Sequence, residues 1–253
     1  MFFLIFTFSI LILTNCIKNT SNLNIAYEED KNIPIIDNIN IITKINIPYS
    51  NYTHPCMVNN DLILCANIGL EFVNSIIQVN TENKKNCIVS KSEYKEPAIQ
   101  DTMANENWIM WVDATSFHDL FKIYARNIKT GKIKIVYEFT RGEPSLDAPY
   151  LYQYYIAWIN ADDKDANIML YNLKTDKLIK VGKLNTFSLY NNFVHMENNK
   201  LLWTDCINNQ GYYFIYDLAT SKINKYKSEF KYPGYAKLSN NKIYSINFQD
   251  YSV

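Results

Sequence analysis

One pattern of apolar and polar positions recurs along most of this chain. Asn107-Trp108-Ile109-Met110-Trp111-Val112-Asp113 aligns with Tyr154-Tyr155-Ile156-Ala157-Trp158-Ile159-Asn160 and with Asn199-Lys200-Leu201-Leu202-Trp203-Thr204-Asp205. Fainter copies are Asp61-Leu62-Ile63-Leu64-Cys65-Ala66-Asn67 and Asn241-Lys242-Ile243-Tyr244-Ser245-Ile246-Asn247. An apolar run this short, closed by Asp or Asn, is the mark of a strand buried on both faces between neighbouring sheets. In this frame Cys65 takes the position that Trp holds in later copies and is expected to be a small buried apolar side chain.

A second element follows the first four copies: Gln78-Val79-Asn80-Thr81, Asn127-Ile128-Lys129-Thr130, Asn172-Leu173-Lys174-Thr175 and Asp217-Leu218-Ala219-Thr220. Turn-forming residues come next (Asn83, Gly131, Asp176, Ser221), then another alternating run, which makes a strand, turn, strand unit. Ahead of the buried strand stands Pro55, Pro97, Pro144 or Pro233, with Phe187 in the remaining repeat; proline fits the first residue of a strand, which need not donate to the ladder. Four short strands in a repeat of about 45 residues make one propeller blade, and the fold class predicted is all-β, a β-propeller of four-stranded antiparallel blades. The blades fall at about 54–95, 96–142, 143–185 and 186–231, with a partial blade at 232–253.

The P…W-x-[DN]…Y-[DN]-L-x-T pattern resembles the TolB-like, WD40-like propeller repeats of exported bacterial proteins, across roughly residues 54 to 253. It lacks the Gly-His and terminal Trp-Asp of true WD40 repeats, the Gly-Gly of kelch repeats and the D-x-D-G turn of many TolB-like blades. The resemblance implies a periplasmic or surface interaction module. In prolyl oligopeptidases a related propeller gates a separate hydrolase domain.

A partial last blade raises the question of closure, because an open ring exposes sheet edges. In residues 22–53, Ile39, Ile41, Thr43, Ile45 and Ile47 alternate with polar positions, and Asn24 to Tyr27 supply a second candidate strand. One expectation is a five-bladed ring whose last blade borrows these N-terminal strands; the other is a truncated chain with further blades elsewhere.

Residues 1–21 read as targeting. Phe2 to Leu13 is apolar except for Thr7 and Ser9, the length of a signal-peptide core and short for a membrane span. Leu13-Thr14-Asn15-Cys16 resembles the bacterial lipobox, which implies lipidation of Cys16, although Asn15 replaces the usual small residue and no Lys or Arg precedes the run. The alternatives are an ordinary signal peptide and an uncleaved anchor. The protein is expected outside the cytoplasm, secreted or held at the cell surface, with membrane contact only through this segment.

Composition narrows the functional classes. With 48% hydrophobic and 20% charged residues the chain has material for a core, and 20 Tyr against 6 Gly favours strands. The 25 basic and 25 acidic residues cancel, which leaves no overall field for nucleic acid. Cys56, Cys65, Cys87 and Cys206 are too sparse for a disulfide framework, though Cys56 and Cys65 lie on opposite arms of a hairpin expected to turn at Asn60-Asp61. His54, His118 and His195 have no zinc-ligand spacing. The loop Asp162-Asp163-Lys164-Asp165 lacks the Gly and closing Glu of a calcium loop and reads as a solvated turn. There is no nucleophile elbow, P-loop or dinucleotide fingerprint, so neither cofactor nor catalytic residue is assigned.

The candidate ligand site is the mouth of the central channel, approached by the residues ahead of each proline: His54, Glu96, Glu143 and Tyr232, with Thr186 in the blade without one. Asp101 and Asp147 are expected nearby. Carboxylates and Tyr rings there would suit a cation, a basic peptide or a sugar; the plainer reading is that they cap strand ends in water. The function expected is an exported non-enzymatic binding or scaffolding module with a protein, peptide or polysaccharide partner. The alternative is the propeller portion of a prolyl-oligopeptidase-like hydrolase.

Overall fold

Strand-forming segments separated by Asn- and Asp-rich turns give eighteen strands in five antiparallel sheets, seen in a computed structural model that describes residues 45–115, 120–140, 149–161, 165–188 and 190–248. All described residues belong to one compact unit, Ile45–Val253. Cys16 and the strands expected before Lys44 lie outside the described residues, as do Glu143, Pro144 and Asp147.

The first sheet holds β1 (Tyr52–Val58), β2 (Asp61–Ala66), β3 (Ser75–Asn80) and β4 (Asn86–Lys91). The second holds β5 (Pro97–Ala104), β6 (Trp108–Thr115), β7 (Leu120–Asn127) and β8 (Ile133–Thr140). The third is built from β9 (Tyr150–Tyr152), β10 (Tyr155–Ala161), β11 (Ala166–Asn172) and β12 (Lys177–Leu184), the fourth from β13 (His195–Glu197), β14 (Lys200–Ile207), β15 (Gln210–Asp217) and β16 (Lys222–Lys227). Strands β17 (Pro233–Ser239) and β18 (Lys242–Asn247) form a two-stranded fifth sheet. Strand order within each sheet follows the chain, and each first strand packs beside the first strand of the next sheet. This is the blade arrangement of a β-propeller.

The repeated apolar run is the second strand of each sheet; in the second, third and fourth sheets it is buried on both faces because a sheet lies on either side, whereas β18 is largely exposed. In β6, Trp111 and Ile109 pack with Ile63, Cys65 and Ile99 of the first interface, while Met110 and Val112 pack with Ile156 and Trp158 of the next. Ala157 and Ile159 meet Leu201 and Trp203 in the third interface; Leu202 meets Ala236 and Leu238 in the fourth. Trp111, Trp158 and Trp203 thus each face the preceding sheet. Trp111 stacks on its cross-strand partner Tyr124 at 5.3 Å, and Trp203 on Phe214 at 5.4 Å. Such pairs contribute roughly 0.5–1.5 kcal/mol beyond area burial.

The pairing register corrects one alignment. Asp61 pairs with Asn80 as Trp108 pairs with Asn127 and Lys200 with Asp217, so Leu64, not Cys65, stands where later sheets carry Trp. Leu64 faces away from the second sheet, where Ile45, Ile47 and Tyr49 cover it, as required of the Trp position. A slip of one residue exchanges the two faces of a strand. Cys65 remains buried, but against the second sheet. The hairpin turns at Asn59-Asn60, Cys56 pairs with Ile63 and Cys65 with Thr53, and all four described cysteines are free thiols.

The two sequence motifs have separate structural tasks. In [DN]-L-x-T the first side chain closes the β3–β4 type of turn: Asn127 Oδ1 accepts from the Thr130 amide at 2.9 Å, and Asp217 Oδ1 from Ala219 and Thr220. The next amide reaches the preceding hairpin, as Leu173 N does to Tyr154 O at 2.8 Å. The polar residue closing the Trp strand holds the incoming loop. Buried Asp205 accepts from the backbone amides of Asn185 (2.7 Å), Thr186 (3.0 Å) and Cys206 (2.8 Å) and from the Asn185 amide side chain. Asp113 accepts from Ser92 Oγ at 2.7 Å, and Asn160 donates to Tyr137 Oη.

Pro97 and Pro233 open β5 and β17 as expected, but Pro55 lies inside β1. It occupies a bulge between Thr53 and Cys56, where an extra residue is unpaired and the missing N–H costs no ladder bond. Outermost strands β12 and β16 expose Lys177, Lys183, Lys222, Lys225 and Lys227, charges that discourage pairing with another chain.

Candidate binding site

The first strands fix what meets near their common side. Counting back three residues from each hairpin turn gives Cys56, Met103, Tyr150, His195 and Lys237, each paired to the residue seven further on. These five positions are equivalent. In β1, β5 and β17 a bulge immediately precedes them, and its first residue has positive φ: His54 (50°), Asp101 (54°) and Tyr235 (47°). A left-handed backbone is costly for side chains of this size, and its repetition at one position is a feature of the blade design.

Among the sequence candidates, the structure brings His54 and Asp101 together. They are matching bulge residues of neighbouring sheets, with Nε2 3.6 Å from Oδ1, while His54 Nδ1 lies 3.0 Å from Thr53 Oγ. Glu96 sits seven positions before Met103 and Tyr232 five before Lys237, so the residues ahead of the prolines do not share one level. Tyr232 packs its ring 5.2 Å from Tyr190, under the Lys231 ammonium at 4.7 Å. Thr186 donates its hydroxyl to the Cys206 carbonyl. Near the His54–Asp101 pair, Cys65 is a poor nucleophile: burial pushes its thiol up to about 12. Among the described residues no group of three or more His, Cys, Asp or Glu side chains is placed to hold a metal ion.

Two groups were missed in the sequence. His195 joins three sheets: Leu238 N–H donates to its Nδ1 at 3.2 Å, so the proton of the neutral ring is on Nε2 and points to Tyr150 Oη at 3.1 Å. Counting from the hairpin turns would have aligned it with Tyr150.

The other is a cleft of about 480 Å³ between the second and third sheets. One wall carries Trp108 and Asn127, with Asn105, Glu106 and Asn107 from the β5–β6 turn. The opposite wall carries Leu151, Tyr152, Gln153 and Tyr154, and Lys174 from the β11–β12 turn. The corresponding clefts are smaller: about 160 Å³ between the third and fourth sheets, beside Tyr155 and Tyr216, and about 220 Å³ between the fourth and fifth, beside Glu197 and Leu238.

The walls of the large cleft are held by their own hydrogen bonds. Hairpins Asn198-Asn199 and Asn240-Asn241 have positive φ at both residues, the primed turn suited to strand twist. The β5–β6 turn uses a side chain instead: Asn105 Oδ1 accepts from the amides of Asn107 (3.0 Å) and Trp108 (3.1 Å). The Asn105 Nδ2 then donates across the cleft to Gln153 O at 2.9 Å. Tyr152 Oη accepts from Gln153 Nε2 and from Asn199 N, and the Lys174 ammonium lies 4.0 Å from the Tyr154 ring centre. The pocket is therefore largely organised before a ligand arrives, within the usual size range of ligand sites.

No protein-family model matches the chain, and no curated protein matches it. Solved structures do. A prolyl endopeptidase superposes with a TM-score of 0.52 at 11% identity, over 77% of this chain and 32% of that one. TolB from Acinetobacter baumannii gives 0.48 at 14% identity over 70% of this chain and 44% of that one, and putative TolB from Agrobacterium tumefaciens 0.42 at 12% over 66% and 61%. The chain spans less than half of the Acinetobacter TolB and about a third of the endopeptidase. At these identities the likeness is one of fold alone, that of a β-propeller.

Proposed function

We propose that this chain is an exported, non-enzymatic β-propeller module that binds a partner in the cleft between its second and third sheets. The observation that carries this reading is the cleft itself: about 480 Å³, with aromatic rings on both walls and carboxamides around them, braced by the Asn105–Gln153 bond. Concave, pre-formed, largely apolar sites with a few placed polar groups are where proteins hold ligands. Export is proposed from the apolar run Phe2 to Leu13 and the lipobox-like Cys16. The His54–Asp101 pair is a secondary contact point on the same grounds of polarity and backbone strain.

The test is retention of cell-envelope material by the purified full chain, compared with a Glu106→Ala/Tyr154→Ala variant of unchanged melting temperature. Retention lost in the variant supports the reading, and retention equal in both overturns the cleft as contact site. Fractionation of cells tests export: the protein in the cytoplasmic fraction would end that part.

A second reading, the propeller portion of a larger hydrolase, is favoured by the superposition on a prolyl endopeptidase. A hydrolase domain encoded directly downstream would support it.

A further inference from the structure

We infer that the cleft between the second and third sheets takes a short saccharide; this rests on the binding reading above and names its ligand class. Three chemical features select that class. Rings of Trp108 and Tyr154 line opposite walls of the cleft, and the apolar C–H face of a pyranose stacks on such rings. Around them stand the carboxamides of Asn107, Asn127 and Gln153 and the carboxylate of Glu106. A carboxamide both donates and accepts, which matches a hydroxyl group that does the same.

Charge and backbone argue against a peptide. The lining holds one carboxylate, Glu106, and one ammonium, Lys174, whose charge already lies over the Tyr154 ring, so neither a basic nor an acidic sequence is selected. Extended peptides are commonly taken by adding a strand to a free sheet edge. Here β6 is paired with β5 and β7, and β10 with β9 and β11, so these wall strands offer no such edge.

The test titrates the full chain, in detergent, with maltotetraose, cellotetraose and chitotetraose, and with tetra-alanine as a peptide probe, by calorimetry and tryptophan fluorescence. The expected result is binding of at least one tetrasaccharide with a Kd of about 1 mM or tighter. Tyr154→Ala and Asn107→Ala should each weaken it about tenfold or more, with melting temperature unchanged. Saccharide binding that both variants leave intact overturns the inference, as does the absence of binding by every tetrasaccharide. Tetra-alanine binding that the variants abolish rejects the saccharide while keeping the binding module. No probe bound, with envelope retention equally unaffected by Glu106→Ala/Tyr154→Ala, rejects both.

Discussion

The imidazole Nε2 of His195 lies 3.1 Å from the phenol oxygen of Tyr150, and the two rings sit 4.7 Å apart, joining the first strands of the third and fourth sheets. Because Nδ1 accepts from the fifth sheet, the ring works only when neutral. Burial and the nearby Lys237 hold its pKa below the ordinary value of 6.5. The folded state thus binds the proton less tightly than the unfolded chain. His195 contributes fully at pH above 6.5 and its contribution declines as pH falls below that value. The stability difference between wild type and His195→Gln should be about 1–2 kcal/mol at pH 7.5 and shrink by pH 5.5, in paired urea melts. A difference that stays constant with pH would contradict the neutral-ring assignment.

Asp113 has the opposite sign. Burial raises its carboxyl to about 6, with Glu93 adding to the effect and Ser92 and Lys122 opposing it. The folded state binds this proton more tightly than the unfolded chain, so stability falls as pH rises from 3.8 to about 6, stays at the lower level above that, and is recovered as pH falls back toward 3.8. Asp113→Asn keeps an acceptor for Ser92 and should stabilise the protein at pH 7.5 by on the order of 1–3 kcal/mol, with the gain gone by pH 4. Thermal melts at the two pH values decide it.

Asp205 is buried like Asp113 but answers to four N–H donors rather than one hydroxyl. Asp205→Ala strands three backbone amides and should cost about 3–5 kcal/mol. Asp205→Asn should cost less, since it keeps one acceptor. Equal losses would mean that packing, not the carboxylate, holds the loop.

Thiol chemistry should separate the described cysteines. Cys87 is exposed, whereas burial raises Cys56 to about 11 and Cys65 to about 12, and also raises Cys206. At pH 7.5 iodoacetamide should label Cys87 in the folded protein, and the other three should react at least about tenfold more slowly until urea is added. Mass spectrometry of the peptides reads the outcome. Fast labelling of Cys65 would contradict its burial against the second sheet.

The blade pattern was legible because its signals are local: a run of apolar residues, an Asn or Asp that closes its own turn, a spacing that repeats. The copy at Asp61 to Asn67 shows the limit, since a register is set by the partner strand, and Leu64 exchanged places with Cys65 once Asp61 was seen to pair with Asn80. The channel candidates failed to align for a related reason. Prolines mark where a missing N–H is tolerated, which is the start of β5 and β17 but a bulge in β1, so His54, Glu96 and Tyr232 stand at different levels. His54 and Asp101 met because both are bulge residues, a property of pairing rather than of sequence. The large cleft depends on groups from two hairpins some 48 residues apart, the Asn105 side chain and the Gln153 carbonyl, that no single motif contains.

The apolar clusters each join two consecutive sheets, apart from the one that Ile45, Ile47 and Tyr49 complete on the first sheet. Stability in such a series behaves as a line of nearest-neighbour couplings, in which one weakened link need not loosen distant ones. The link through Leu202, Ala236 and Leu238 has the fewest buried side chains, and the fifth sheet beyond it has two strands. Amide exchange in β17 and β18 should therefore run ahead of exchange in β6 and β10, and the wide cleft lies between the two best-coupled members of the line.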